Sequence, residues 1–132
     1  MKVIKFDHLT STTREVHCPD GGFISYRYLL ESDGMGYSVH RTVVPKGPPQ
    51  RWHYTNHLES CLCIVGYGEL VNLATGEKHI IESGTMYALD EHDDHTFQAF
   101  EDTVLICVFN PPVTGREVHG PDRSYACGVL HE

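Results

Sequence analysis

The polar residues within the stretch GPPQRWHYTNHLESCLCIVGYG, residues 47–68, are of types that bind metals or move protons. Because side chains alternate along a β-strand, His53, Thr55, His57 and Glu59 would share one face if a strand runs through them. A row of imidazole and carboxylate groups is costly to bury unless the groups are paired or coordinate an ion. The spacing therefore indicates a metal site, with a simple hydrogen bond between His57 and Glu59 as the alternative.

A second pair of candidate ligands lies further along the chain. Tyr87 and His95 are eight residues apart, on either side of the acidic turn DEHDD. A hairpin around this turn would place both side chains on neighbouring strands of one wall. We therefore expect Tyr87 and His95 to face the same site as Glu59.

The spacing of these residues resembles the two motifs of the cupins, a family of small double-sheet barrels that often hold a metal in the barrel mouth. The residues at the spacing of the first motif are Gly47, His53, Glu59 and Gly66. Thr55 stands where this motif has its second histidine. In the second motif Gly76 and Gly84 keep their places, and Tyr87 replaces the histidine. The resemblance implies a cupin whose metal site is rearranged.

Short runs rich in β-branched and aromatic residues would have to position these groups. The runs are KVIKF, FISYRYLL, YSVHRTVV, LESCLCIV, ELVNLA, KHII, TMYALD, HTFQAF and TVLICVFN. Turns containing Gly, Pro or Asp separate them, a pattern typical of a sandwich or small barrel. With the cupin resemblance, this predicts an all-β, cupin-type double-stranded β-helix (jelly-roll) barrel. We expect one domain over residues 1–132, with at most one or two short helices, one of them in STTREVHCPDG.

The amino-acid composition limits the classes of binding partner and the cellular compartment that we expect for this chain. The chain has 132 residues and a formal net charge of −8, which argues against nucleic acid and anionic membrane surfaces as partners. It has no segment that predicts a signal peptide or a membrane span. The five cysteines are an odd number. We expect each of them to be a reduced, small buried side chain in a cytoplasmic protein.

Several longer strings make the resemblance more specific. DGMGYSVHRT, HYTNHLES, GTMYALDEHDDH and VFNPPVTGREVH resemble the signature stretches of the ectoine synthases, in order along most of the chain. Neither a barrel nor a metal site requires a string such as NPPVTGREVH. The resemblance implies a cytosolic homodimer that uses Fe²⁺. It also implies closure of N-gamma-acetyl-L-2,4-diaminobutyrate into the cyclic osmolyte ectoine with loss of water.

The same resemblance implies roles for individual residues. The implied metal ligands are Glu59, Tyr87 and His95. The implied substrate-binding residues are Phe23, Arg27, His40, Thr42, Tyr54, Cys107, Phe109 and Glu117. The candidates for proton transfer are Tyr54, His57, Glu117 and His119. At two of these positions the chain departs from the family, which usually has Trp for Phe23 and an Asn aligned with His40. Both departures fall in the implied substrate pocket, where they bear on substrate preference.

Other functions agree with parts of this pattern. A related metal-dependent cyclase or hydrolase would act on another N-acyl diamino acid. An iron-dependent cupin dioxygenase would usually need two or three histidines, whereas Thr55 and Tyr87 replace two of the motif histidines here. A metal-free binding or regulatory cupin is the third alternative. Carboxylate, phenolate and imidazole ligands suit Fe²⁺, but Zn²⁺ or another divalent metal would also bind such a set.

Overall fold

A computed structural model describes residues 1–115 of the chain. The strands are β1 (Glu15–His17), β2 (Ile24–Leu29), β3 (Ser38–Val44), β4 (Gln50–Trp52), β5 (Leu58–Val65), β6 (Tyr67–Asn72), β7 (Lys78–Glu82), β8 (Met86–Leu89), β9 (His95–Ala99) and β10 (Thr103–Asn110). The helical segments in this part of the chain are two short 3₁₀ turns, Phe6–His8 and Glu31–Asp33. The prediction of an all-β fold with at most two short helices is thus confirmed.

The strands form two antiparallel sheets that pack face to face. The first sheet has the order β1-β2-β3-β10-β5-β8, and the second has the order β4-β9-β6-β7. Most neighbours in each sheet, such as β3 with β10 and β4 with β9, are far apart in the sequence, as expected for the predicted double-stranded β-helix. Every pairing between the described strands is antiparallel.

The alternation of side chains explains why β5 and β10 form the wall of the interior. Along β5, Glu59, Cys61 and Cys63 are buried while the residues between them are more exposed. Along β10, Cys107 and Phe109 face the same interior. Both strands therefore present thiol groups to the space between the sheets, and β5 also presents a carboxyl group, which is rarely buried.

Aromatic and aliphatic side chains fill the rest of the interior. Phe97 of β9 is fully buried and stacks on Trp52 of β4, with ring centroids 5.9 Å apart. Leu70 and Ile81 extend this core along the second sheet. No helix within residues 1–115 is long and apolar enough to cross a membrane.

The connection between β5 and β6 needs glycine at one position. Gly66 has φ +108, a conformation that side chains rarely adopt. A Cβ atom built on Gly66 would lie 2.6 Å from Thr103 Cα and 2.7 Å from Asp102 O. This turn therefore packs against the backbone before β10 too closely for any side chain.

Two local predictions are wrong. Residues 2–6, KVIKF, form no strand, because their apolar residues pair with no strand within residues 1–115. The segment STTREVHCPDG contains no helix; it contains β1, which pairs with β2 through Glu15 opposite Tyr26. The pairing with β2 outweighs the helix-capping signal of this segment.

Candidate active site

A narrow cavity lies between the two sheets, and Phe109 is one of the residues that line it. The ring of Phe109 contacts His40, Tyr54 and His57, with centroid distances of 5.0, 5.1 and 5.8 Å. All four side chains are buried. Three polar rings therefore surround one apolar ring in a space largely closed to water.

The central strand of the first sheet explains how these groups meet. Cys107 of β10 lies opposite His40 of β3 on one side and opposite Cys61 of β5 on the other. Because opposite residues in an antiparallel pair point to the same face, all three side chains enter the cavity. The sequence could not reveal this arrangement without the register between distant strands.

Most of the predicted substrate-binding residues line this one cavity. They are Phe23, His40, Thr42, Tyr54, Cys107 and Phe109. Glu59, a predicted metal ligand, lines it as well. Arg27 is buried on β2 directly opposite His40. Glu117 and His119 lie outside the described residues.

His40 is neutral in this environment. Its Nδ1 lies 3.3 Å from the Ser25 hydroxyl, and its Nε2 has no hydrogen-bond partner among residues 1–115. Burial is the main reason that the pKa of His40 lies well below its ordinary value, and the charges of Arg27 and His57 lower it further. A neutral imidazole with a free ring nitrogen is suited to a hydrogen bond with a substrate group.

The expected row of four side chains on one strand is not present. Strand β4 ends at Trp52 and β5 begins at Leu58, so no continuous strand carries the alternation from His53 to Glu59. His57 and Glu59 are buried, but Thr55 is exposed and His53 Nδ1 lies 3.9 Å from a carboxylate oxygen of Asp94. His53 and Thr55 therefore do not belong to the site.

His92 holds the loop between β4 and β5 in place. Its Nδ1 donates to the carbonyl oxygens of Tyr54 and His57, at 2.9 and 3.1 Å. His92 has φ +52, a conformation that is uncommon outside glycine. His92 is exposed within the acidic turn DEHDD, yet it anchors two predicted site residues by their backbone.

Glu59 is a buried carboxyl group in the wall of the cavity. Burial raises its pKa to about 7, while hydrogen bonds from the thiols of Cys61 and Cys107 oppose the rise. A carboxylate buried beside neutral groups is unfavourable unless a cation joins it. The environment of Glu59 thus favours a bound cation.

Tyr87 and His95 do not lie on neighbouring strands of one wall, as the predicted hairpin required. Strand β8 pairs with β5 in the first sheet, whereas β9 pairs with β4 and β6 in the second. Residues 90–94 carry the chain from one sheet to the other. The two rings nevertheless approach across the gap, with centroids 6.3 Å apart, and both line a groove beside the cavity.

The tautomer of His95 suits metal binding. Its Nδ1 lies 2.9 Å from the carbonyl oxygen of Asp93, so Nδ1 donates the proton and Nε2 keeps its lone pair. Nε2 is buried and accepts no hydrogen bond from any of residues 1–115. Burial, followed by the neighbouring charges of Cys61 and Glu59, raises the pKa of Tyr87 well above its ordinary value.

Three residues that line the cavity were not expected from the sequence, namely Trp52, Cys61 and Leu105. Trp52 lines the cavity and contacts both Phe23 and His95 edge to face, at 5.6 and 6.1 Å between centroids. Cys61 was expected only as a small buried side chain, yet it borders the cavity beside Cys107. Alternation along LESCLCIV would have placed Cys61 on the face of Glu59, but only the strand pairing brings it to Cys107.

The chain is similar to known proteins in family, sequence and structure. The family model described as ectoine synthase matches residues 1–128. An L-ectoine synthase of Wolinella succinogenes is 49% identical over 119 residues, which is 90% of this chain and 91% of the relative. An L-ectoine synthase of Alkalilimnicola ehrlichii is 47% identical over 126 residues, covering 95% and 94% of the two chains.

Solved structures give a consistent result. The crystal structure of an ectoine synthase from P. lautus matches with a TM-score of 0.82 and 37% identity, covering 87% of this chain and 81% of that one. An ethanolamine utilization protein q of Salmonella typhimurium has a TM-score of 0.62 at 16% identity, covering 72% and 77% of the two chains. At that identity the second match shows a shared fold only.

Proposed function

This chain belongs to the ectoine synthase family, and from that membership we propose which of its residues carry out the ring closure. The enzyme is a hydro-lyase that closes N-gamma-acetyl-L-2,4-diaminobutyrate into ectoine with loss of water. Membership of this family favours ring closure over the dioxygenase and the metal-free alternatives. The proposal includes a cytoplasmic homodimer, as the family resemblance implies.

The convergence of the substrate residues in one cavity is the observation that carries the assignment of roles. Arg27 would bind the substrate carboxylate through its planar guanidinium, and His40 and Thr42 would hydrogen-bond its polar groups. Phe109, between the polar rings, would hold the flexible chain in a folded, ring-like conformation. Holding the amine close to the carbonyl carbon contributes several kcal/mol, on the order of what well-oriented intramolecular reactions show.

The reaction replaces the C=O bond of the acetamide by a C=N bond to the α-nitrogen and releases the carbonyl oxygen as water. The α-amine nitrogen attacks the acetamide carbon, and the amine must lose protons while the departing oxygen gains them. Tyr54 and His57, whose rings both contact the ring of Phe109, would carry protons. Glu117 and His119 are the further candidates for these transfers. Water exclusion by Phe109 would limit hydrolysis of the product.

Glu59, Tyr87 and His95 would hold a divalent metal ion. Their chemistry fits, because Glu59 is a buried carboxyl group that would gain from a cation and His95 has a buried nitrogen lone pair without a partner among residues 1–115. When bound, the metal would supply Lewis-acid polarisation of the acetamide carbonyl. We propose Fe²⁺ from the family resemblance, since these ligand types would bind Zn²⁺ as well.

Elemental analysis would test the ligand set. We expect about one divalent metal per chain in the wild type, as for a three-ligand site, and its loss in Glu59→Ala, Tyr87→Ala and His95→Ala. His53→Ala is the matched control, because His53 also stands at motif spacing but lies outside the site. Full metal content in both Glu59→Ala and Tyr87→Ala would show that the ligand assignment is wrong.

Product analysis would test the reaction. Protein loaded with Fe²⁺ without oxygen is incubated with N-gamma-acetyl-L-2,4-diaminobutyrate, and the products are identified by NMR. We expect ectoine to form. If metal is bound and no ectoine appears, the substrate assignment fails and a cyclase or hydrolase of another N-acyl diamino acid takes its place.

A further inference from the structure

Two thiols and a carboxyl group form a compact cluster in the wall of the cavity. The Sγ atoms of Cys61 and Cys107 are 3.5 Å apart, and each lies within 4.8 Å of a carboxylate oxygen of Glu59. All three residues are buried, with Cys61 1% and Cys107 3% exposed. The roles proposed above leave Cys61 unused.

The strand pairing holds this cluster rigidly. Cys61 and Cys107 lie directly opposite each other on β5 and β10, two neighbouring interior strands of the first sheet. Glu59 lies two residues before Cys61, on the same face of the same strand. A site whose donors come from paired strands needs little rearrangement when an ion binds.

The donor set selects a particular class of ion. Thiolate sulfur prefers soft and borderline cations such as Zn²⁺ and Cd²⁺ over hard ones such as Mg²⁺. Two thiolates and one carboxylate supply three ligands, and a tetrahedral ion keeps its fourth position for water. We infer that Glu59, Cys61 and Cys107 form a binding site for thiophilic divalent cations, distinct from the set of Glu59, Tyr87 and His95.

The two sets share one ligand, so they exclude each other. Glu59 would turn either to the thiolates or to Tyr87 and His95, and a cation held by Cys61 and Cys107 would also occupy the substrate cavity. The ion therefore acts as an inhibitor. Binding releases one proton from each thiol to solvent and transfers no electrons. The prediction that the cation binds depends on the cluster alone, whereas the prediction that the cation inhibits the enzyme rests on the proposed function.

The binding test uses Cd²⁺ as the probe. Chelator-treated full-length protein, kept reduced and free of oxygen, is titrated with Cd²⁺ while the ultraviolet charge-transfer absorption of sulfur bound to cadmium is recorded. We expect this absorption to saturate with one ion per cluster. Cys61→Val should weaken cadmium binding by about tenfold or more, as loss of a ligand from a metal site does. Cys107→Ser should have the same effect.

Cys63→Val is the matched control, because Cys63 is buried on the same face of β5 but its thiol lies against Val65 O, outside the cluster. It should keep the absorption. Circular dichroism of each variant checks that it is folded. An absent cadmium–sulfur absorption in the wild type overturns the inference. Its persistence in both folded Cys61→Val and folded Cys107→Ser does so as well.

An activity assay separates this inference from the proposed function. With iron-loaded protein forming ectoine, Cd²⁺ should inhibit the wild type and should inhibit Cys61→Val about tenfold less strongly, in parallel with its weaker binding. If the absorption appears but no ectoine forms even without cadmium, the proposed function fails and the cation site remains. If ectoine forms and no absorption appears, the cation site fails and the proposed function remains.

Discussion

Phe109 is the side chain on which the polar rings of the cavity pack. It is 2% exposed and contacts His40, Tyr54 and His57. Each of these residues has a role in the proposed reaction, although Phe109 itself has no group that can bind a metal or carry a proton. Its contribution is to fix the positions of the polar rings around it and to exclude water from them.

Replacing Phe109 should therefore affect both stability and turnover. We expect Phe109→Ala to cost about 3–5 kcal/mol of unfolding free energy, as aromatic truncations in cores do. Phe109→Leu keeps most of the volume and should cost much less. Urea unfolding measures the stability, and the rate of ectoine formation by folded protein measures the turnover. We expect the turnover of Phe109→Ala to fall while its metal content stays unchanged. Wild-type turnover in Phe109→Ala would contradict this role.

His40 makes stability depend on pH. Burial, Arg27 and His57 hold its pKa well below the ordinary 6.5, so His40 stays neutral in the folded chain while the unfolded chain takes up a proton as pH falls below 6.5. The contribution of His40 to stability is thus complete above that pH. It is lost progressively below it, by up to about 1.4 kcal/mol per pH unit until the folded pKa is reached.

His40→Asn removes this titration while keeping a polar side chain. Both proteins are unfolded with urea in the presence of chelator, at a series of pH values on both sides of 6.5. The difference in stability between wild type and variant gives the contribution of His40 titration. We expect the wild type to lose stability relative to His40→Asn as the pH falls. Parallel stability curves would show that His40 is accessible and titrates normally in the folded protein.

At the scale of the elements, the predicted strands agree best with the observed strands where the alternation of side chains extends over many residues. LESCLCIV and TVLICVFN coincide with β5 and β10 from end to end. The three-residue strands β1 and β4 were missed, because runs of that length carry too little periodicity to be distinguished from loops. Residues 2–6 show the opposite error, since an apolar run forms a strand only where another strand can pair with it.

In the candidate site, too, local patterns predicted some features, whereas others depend on how the strands pair. Spacing and family strings named Glu59, Tyr87 and His95, but the crossing of residues 90–94 between the sheets left no periodic signal. The contact of Cys61 with Cys107 depends on which two strands pair, and in what register, across 46 residues of sequence. Such pairings are set by the packing of the whole sheet and are not encoded in either segment alone.

The turn at Gly66 offers a test of element geometry. Gly66→Ala would combine the strained φ +108 with a Cβ 2.6 Å from Thr103 Cα, and the backbone before β10 would have to move. Gly34→Ala would face only the strain, because Gly34 has φ +74 and nothing lies within 4 Å of its Cβ position.

We expect Gly34→Ala to cost about 1–2 kcal/mol, the usual penalty for a left-handed residue with a side chain. Gly66→Ala should cost clearly more, because the steric conflict adds to that penalty. Unfolding midpoints in urea rank the two variants against the wild type. Equal losses would show that the turn can relax away from Thr103.

At the scale of the molecule, the prediction of a homodimer stays open to test. Residues 2–6 pair with no strand within residues 1–115, so they present no strand edge for association. Exposed apolar side chains are found instead on edge strands of both sheets, Ile80 on β7 and Met86 on β8. Edge strands with such side chains favour association.

Light scattering at micromolar concentration measures the assembly directly. We expect a mass of twice the 14.9 kDa of the chain, in keeping with the family resemblance. The control is the same measurement in moderate salt, because apolar contacts persist when charges are screened. A mass of one chain across the concentration range would overturn the dimer.

The crossing of residues 90–94 has a consequence for how the protein would acquire its ion. Glu59 and Tyr87 lie on the first sheet and His95 on the second, so a chain with only one sheet assembled lacks part of the set. Metallation would therefore follow folding as a separate bimolecular step. Its rate would be proportional to the concentration of free metal, whereas the folding rate would not depend on metal at all.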